Sequence, residues 1–105
     1  MKFLVLIHAT DPPAPPLEDP LTVFQASKEY IEAMRANGSL ECAYAHLDGR
    51  GVAIANADTS EELYDQVSGY PFVAAGRAAF DVYPLVDADY FFDRNIEKLQ
   101  QMSGD

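Results

Sequence analysis

Residues 40–57, LECAYAHLDGRGVAIANA, decide the fold. Two alternating stretches flank the tetrapeptide Asp48-Gly49-Arg50-Gly51. In 40–47, Leu40, Cys42, Tyr44 and His46 fall on one side of a strand and Glu41, Ala43, Ala45 and Leu47 on the other, because successive strand side chains point to opposite faces. In 52–57, Val52, Ile54 and Asn56 alternate with three alanines. An Asp-Gly pair between such stretches is a hairpin signal, since glycine takes the positive φ that a tight turn needs. The middle of the chain is therefore predicted to be two antiparallel strands, and the flanking segments settle the topology.

On the N-terminal side, residues 2–8 form an apolar run of strand length, the pattern of a central strand covered on both faces. Asp11 to Pro20 holds five prolines in ten residues, which exclude helix and sheet interior and predict an extended loop over 11–20. A loop of that length is either a stiff exposed spacer or a functional segment. Asp19 then reads as a helix N-cap and Pro20 as the first helical residue, with the helix running to about Ala36 and ended by Asn37-Gly38. Val23, Phe24, Tyr30, Ile31 and Met34 mark its inner face. Ser27, at helical spacing between Phe24 and Ile31, points inward with them.

On the C-terminal side, Thr59-Ser60-Glu61-Glu62 is a capping box that opens a short helix through about Ser68, closed by Gly69. Its inner positions are Leu63, Tyr64 and Val67. Tyr70-Pro71-Phe72 follows as a turn, residues 79–85 as the last strand, and Asp87-Ala88-Asp89 caps a terminal helix over roughly 89–102. The order is βαββαβ plus a helix: an α+β, ferredoxin-like domain covering 1–105, with a four-stranded antiparallel sheet and two helices on one face. The other sheet face has no cover within the chain although its strands are apolar on both sides. Two sheets packing face to face would supply it, so a homodimer or higher homo-oligomer is expected. Tyr90-Phe91-Phe92 cannot share one face of a helix and are expected in a subunit contact.

Composition narrows the function. A net charge of −10, with seven scattered basic residues, argues against nucleic acid and against an anionic membrane surface. The lone cysteine, Cys42, allows no internal disulfide and makes a reducing, cytoplasmic location the expectation. The run Phe3 to Ile7 is too short for a signal peptide or a membrane span. His8, Asp11, Cys42 and His46 have no metal-ligand spacing, and no glycine-rich phosphate loop is present, so neither metal nor cofactor is expected.

Three residues can take part in proton chemistry. His8 ends the first strand beside the proline-rich loop, where a pocket mouth would open, and an imidazole exchanges protons near neutral pH. The plainer role for a histidine there is a hydrogen bond to the loop. Tyr44 and His46, two apart on one strand face, pair a polarising hydroxyl with a proton carrier, or else are half-exposed groups on an edge strand. Ser27 can bond a ligand, or its own helix backbone.

Several segments resemble the muconolactone isomerases of the dimeric α/β-barrel superfamily: Lys28-Glu29 on the first helix, Gly38-Ser39 at its end, the turn glycine Gly49, Asp58-Thr59-Ser60-Glu61-Glu62-Leu63, and Tyr70-Pro71-Phe72. The resemblance covers most of residues 2–86. It implies a ferredoxin-like protomer, a dimer, and a ligand pocket between sheet and helices. Its expected lining is His8, Phe24, Ser27, Ile31, Tyr64, Tyr70 and Phe72. Where that family carries a proton-shuttling glutamate just before the Lys-Glu pair, this chain carries Ser27. A second likeness, through Tyr70 to Gly76, is to the YCII-related proteins, whose helix histidine and aspartate before the proline are absent here; Tyr70 precedes Pro71. The expected activity is a cofactor-independent isomerisation or cyclisation of a small oxygenated substrate by proton transfer next to a carbonyl, with His8, His46 and Tyr44 as catalytic candidates. The alternatives are a cofactor-free monooxygenase and a non-catalytic binding or stabilising module. The alanines 43, 45, 53 and 55 leave room above the sheet, for helices to fill or for a cavity.

Overall fold

The computed structural model describes residues 1–104. Its elements are β1 (Lys2–Ala9), α1 (Pro20–Ala36), β2 (Leu40–Ala45), β3 (Gly51–Asn56), α2 (Ser60–Ser68), α3 (Pro71–Ala74), β4 (Ala78–Leu85) and α4 (Ala88–Ser103). The strands form one antiparallel sheet in the order β2-β3-β1-β4. This is the ferredoxin-like arrangement expected, with the largely apolar β1 in the interior and an additional helix at the C-terminus.

The register assigns the faces. Phe3 sits opposite Ala55 and Pro84, and Val5 opposite Ala53 and Val82. These residues face α1 and α2, where Phe3, Val5, Ala55, Ala57, Leu63 and Val67 form the buried core. Leu6, pointing the other way, sits opposite Val52 and Asp81. Nothing in the described chain covers that second face.

Local signals end the helices where the sequence predicts. The Asp19 carboxylate accepts the Thr22 backbone N–H at 3.2 Å and its hydroxyl at 2.6 Å. Gly38 carries φ +82° after the Asn37 C-cap. Thr59 Oγ1 accepts the Glu62 N–H at 3.1 Å, and Glu62 reaches back to the Asp58 N–H at 3.1 Å.

Three features differ from expectation, and a fourth concerns the alanine face, for which the sequence left two readings open. A bulge between Leu40 and Cys42 breaks the alternation of β2, so Leu40 packs against the core while Cys42 and Tyr44 face away from it. β2 stops at Ala45, and His46 belongs to the hairpin turn, where its N–H donates to the Arg50 carbonyl and its carbonyl accepts from Gly49. The predicted turn at Pro71 is a single helical turn, α3. On the alanine face the helices close in over β3, where Ala55 is in the core and Ala53 is packed against it, while Ala45 on β2 stays exposed.

Candidate functional site

The aromatic residues expected to line a pocket divide between two places, both on the helix side of the sheet. The first joins α1 to α3. Phe24 stacks edge-on against Phe72 with ring centroids 4.9 Å apart, and Tyr70 lies 5.7 Å from Phe72 and 6.3 Å from Tyr30. Helical spacing puts Phe24, Ser27 and Ile31 on one face of α1. Phe24 is 61% exposed, so the rim of this cluster is open to water.

Ser27 is the buried polar residue of the helix layer, at 4% exposure, and its hydroxyl has no hydrogen-bond partner. Burial pushes the Tyr70 phenol above the ordinary tyrosine range, and the neighbouring Ser27 hydroxyl partly offsets this without the two reaching good hydrogen-bond geometry. The Tyr30 phenol, also pushed up by burial, donates to the Gln66 carbonyl and ties α1 to the end of α2. Native proteins pair nearly all buried hydroxyls, so an orphan among aromatic rings calls for a partner, whether a water or a ligand atom.

The second place is a groove of about 380 Å³ between α2 and β4, floored by Phe3, Phe80 and Val82 and bounded by Leu63, Tyr64 and Pro84. The rings of Tyr64 and Phe80 lie 6.1 Å apart across it. Phe80, Val82 and Pro84 were not picked out in the sequence. Only the strand order, which puts β4 at an edge with α2 beside it, brings them together.

The three catalytic candidates are elsewhere. His8 is on the open sheet face, across the sheet from Ser27, so it does not join the rest of the expected lining. Its Nε2 is 3.1 Å from Asp81 Oδ2, and its Nδ1 is 3.0 Å from the Ala9 carbonyl. Both partners are acceptors, and an imidazole fills both bonds only when both nitrogens carry protons. Tyr44 is on the same open face but on the edge strand, 70% exposed. His46 is exposed in the hairpin turn, its Nδ1 accepting the Asp48 N–H at 3.2 Å. Asp81 was not picked out either; its place beside His8 follows from β1–β4 pairing. Among the described residues no cluster of three or more histidine, cysteine or acidic side chains could hold a metal, and no helix is long and apolar enough to cross a membrane.

Comparison with solved structures settles the architecture. The chain superimposes on the crystal structure of muconolactone isomerase with a TM-score of 0.69, over 83% of this chain and 90% of that one, at 16% identity. The fold is that of muconolactone isomerase. It also matches the 5-chloro-2-hydroxyhydroquinone dehydrochlorinase of Burkholderia phenoliruptrix AC1100, solved with 2,5-dihydroxybenzoquinone, with a TM-score of 0.64 over 86% of this chain and 98% of that one, at 18% identity. No family model and no curated protein matches the sequence.

Proposed function

We propose that the protein is a small-molecule enzyme of isomerase type, moving a proton next to the carbonyl of a small oxygenated, unsaturated substrate without a cofactor. The unpartnered Ser27 hydroxyl beneath the Phe24, Tyr70 and Phe72 rings carries the proposal. A flat unsaturated ring would enter at the exposed Phe24 rim by parting the Phe24 and Phe72 rings, and its carbonyl oxygen would accept hydrogen bonds from Ser27 Oγ and Tyr70 Oη. The Tyr70 phenol is protonated, hence a donor, at neutral pH, and burial raises its pKa further above the ordinary value of 10.0. Two donors placed where an enolate oxygen develops lower the barrier to its formation. Water at the open rim takes the carbon-bound proton as the enolate forms, and a proton returned from water to the other end of the conjugated system completes the isomerisation. The two structural neighbours act, by their names, on a lactone and on a hydroxylated aromatic ring, both within this substrate class. The proposal includes a homodimer joined through the open sheet faces.

A non-catalytic binding module is the second proposal. It is favoured by the cluster's chemistry: the polar groups identified there are hydroxyls, while both imidazoles lie elsewhere. One experiment separates the two. The protein is mixed with muconolactone or 2,5-dihydroxybenzoquinone in D₂O and followed by ¹H NMR. Ligand line broadening with loss of the C–H signal next to the carbonyl is expected for the enzyme. Broadening without exchange indicates the binding module, and neither effect with either ligand would sink both.

A further inference from the structure

We infer that α4 is an exchanged arm, whose apolar stripe lies in the α2–β4 groove of a second copy of this chain. α4 makes no substantial contact with any other element of its own chain and buries none of its residues. It extends the molecule to 66 × 32 × 26 Å and raises the radius of gyration to 17.8 Å. A compact domain of this size has about 13 Å.

The sequence of α4 is nonetheless that of a packed helix. At 100° per residue, Phe91, Phe92, Ile96, Leu99 and Met102 fall within one apolar stripe, with Ala88 and Asn95 inside it. Tyr90 points the opposite way, with the Arg94 guanidinium 5.9 Å from its ring centroid. The five stripe residues are 50–74% exposed. At about 200 Å² for a large side chain, they leave on the order of 600 Å² of apolar surface in water. That is at the upper end of what a monomer shows, about 300–600 Å².

Apolar character and charge point to the groove as the partner surface. The groove is apolar and open, and above the buried Phe3 its half-buried Phe80 and Val82 lack the cover that α1 gives the rest of the layer. A two-fold dimer uses each contact twice. Each chain would then contribute one stripe and one groove, so both stripes gain cover in a single dimer. Arg94 and Lys98 flank the stripe on one side, and these are two of only seven basic residues in the chain. The α2 wall beside the groove presents Glu61 and Asp65 next to Tyr64. A helix laid in the groove with its basic flank toward α2 matches opposite charges along that rim, which fixes its direction.

The test uses the full chain with Cys42→Ser as background. A Lys98→Cys variant is mixed with an Asp65→Cys variant under mild oxidation, with Glu97→Cys, on the far side of α4, replacing Lys98→Cys as control. A disulfide-linked heterodimer of the Lys98→Cys and Asp65→Cys chains is expected, with none from the control. Homodimers of Lys98→Cys alone would show α4 pairing with α4. An intrachain bond in the double variant, with no heterodimer from the mixture, would show the helix folding back. A mixture that stays uncrosslinked would show no contact. Each of these three results overturns the inference. As a second measurement, Arg94→Glu with Lys98→Glu should weaken self-association about tenfold, and adding Glu61→Lys with Asp65→Lys should restore it. Weakening without restoration also counts against the groove.

Discussion

A buried hydroxyl without a partner works against folding, and Ser27 is one. Leaving a buried polar group unsatisfied costs about 1–3 kcal/mol. Ser27→Ala is therefore expected to stabilise the free protein by about 1 kcal/mol in urea denaturation, while weakening the ligand detected by NMR about tenfold. A destabilised Ser27→Ala would mean that the hydroxyl is bonded in the fold. His8→Asn, across the sheet, should leave ligand binding unchanged. A pH experiment addresses the same cluster. The folded-state pKa of Tyr70 lies above its ordinary value of 10.0 because burial disfavours the phenolate. The stability this contributes is whole below about pH 10 and is lost as the pH rises through the folded-state pKa. Urea midpoints measured from about pH 9 to 11 should fall, and fall less steeply in Tyr70→Phe. The inward direction of Ser27 was legible because helical spacing specifies it. The face taken by His8 was not, because Phe3 to Ile7 is apolar at every position and carries no alternation to mark which side meets the helices.

Helix ends were the most legible elements, since caps are local chemistry. Asp19, Thr59 and Asp87 each accept the backbone N–H groups that their sequence context predicts. Thr59→Ala removes the acceptor for the Glu62 N–H and should lower stability by about 1 kcal/mol, read as a reduced urea midpoint at unchanged slope. Because α2 contributes Leu63 and Val67 to the core, the loss should appear in the global transition and not only as fraying of one helix. The strands were less legible. The bulge after Leu40 leaves the written alternation intact while reversing which face Leu40 occupies, and nothing in LECAYA announces it. α3 spans four residues, too few to show a helical period. The groove depended on pairing between β1 and β4, separated by nearly the whole chain, which no local pattern encodes.

At the scale of the whole molecule, two opposed forces would govern the proposed association. The uncovered sheet face carries Leu4, Leu6, Val52, Ile54 and Tyr83, an apolar surface that gains by meeting another of its kind. Each chain also brings a charge of −10, so two chains repel. Salt should decide the balance. Charges on separate chains interact over about 30 Å at 0.01 M ionic strength but only about 10 Å at 0.1 M, whereas apolar burial survives screening. Static light scattering should therefore give twice the 11.6 kDa chain mass at 0.1 M salt and micromolar protein, and a lower average mass at 0.01 M. Tyr44→Glu with Val52→Glu places carboxylates on residues already exposed in the single chain, so folding should be little affected. In a sheet-to-sheet dimer those carboxylates would lose their water without a partner, at a cost of several kcal/mol. Dissociation should then shift by at least about 100-fold toward higher concentration while the far-UV spectrum is kept. A mass that stays at 11.6 kDa in 0.1 M salt for the unaltered chain, or a dimer indifferent to both carboxylates, would show that the sheet faces do not meet.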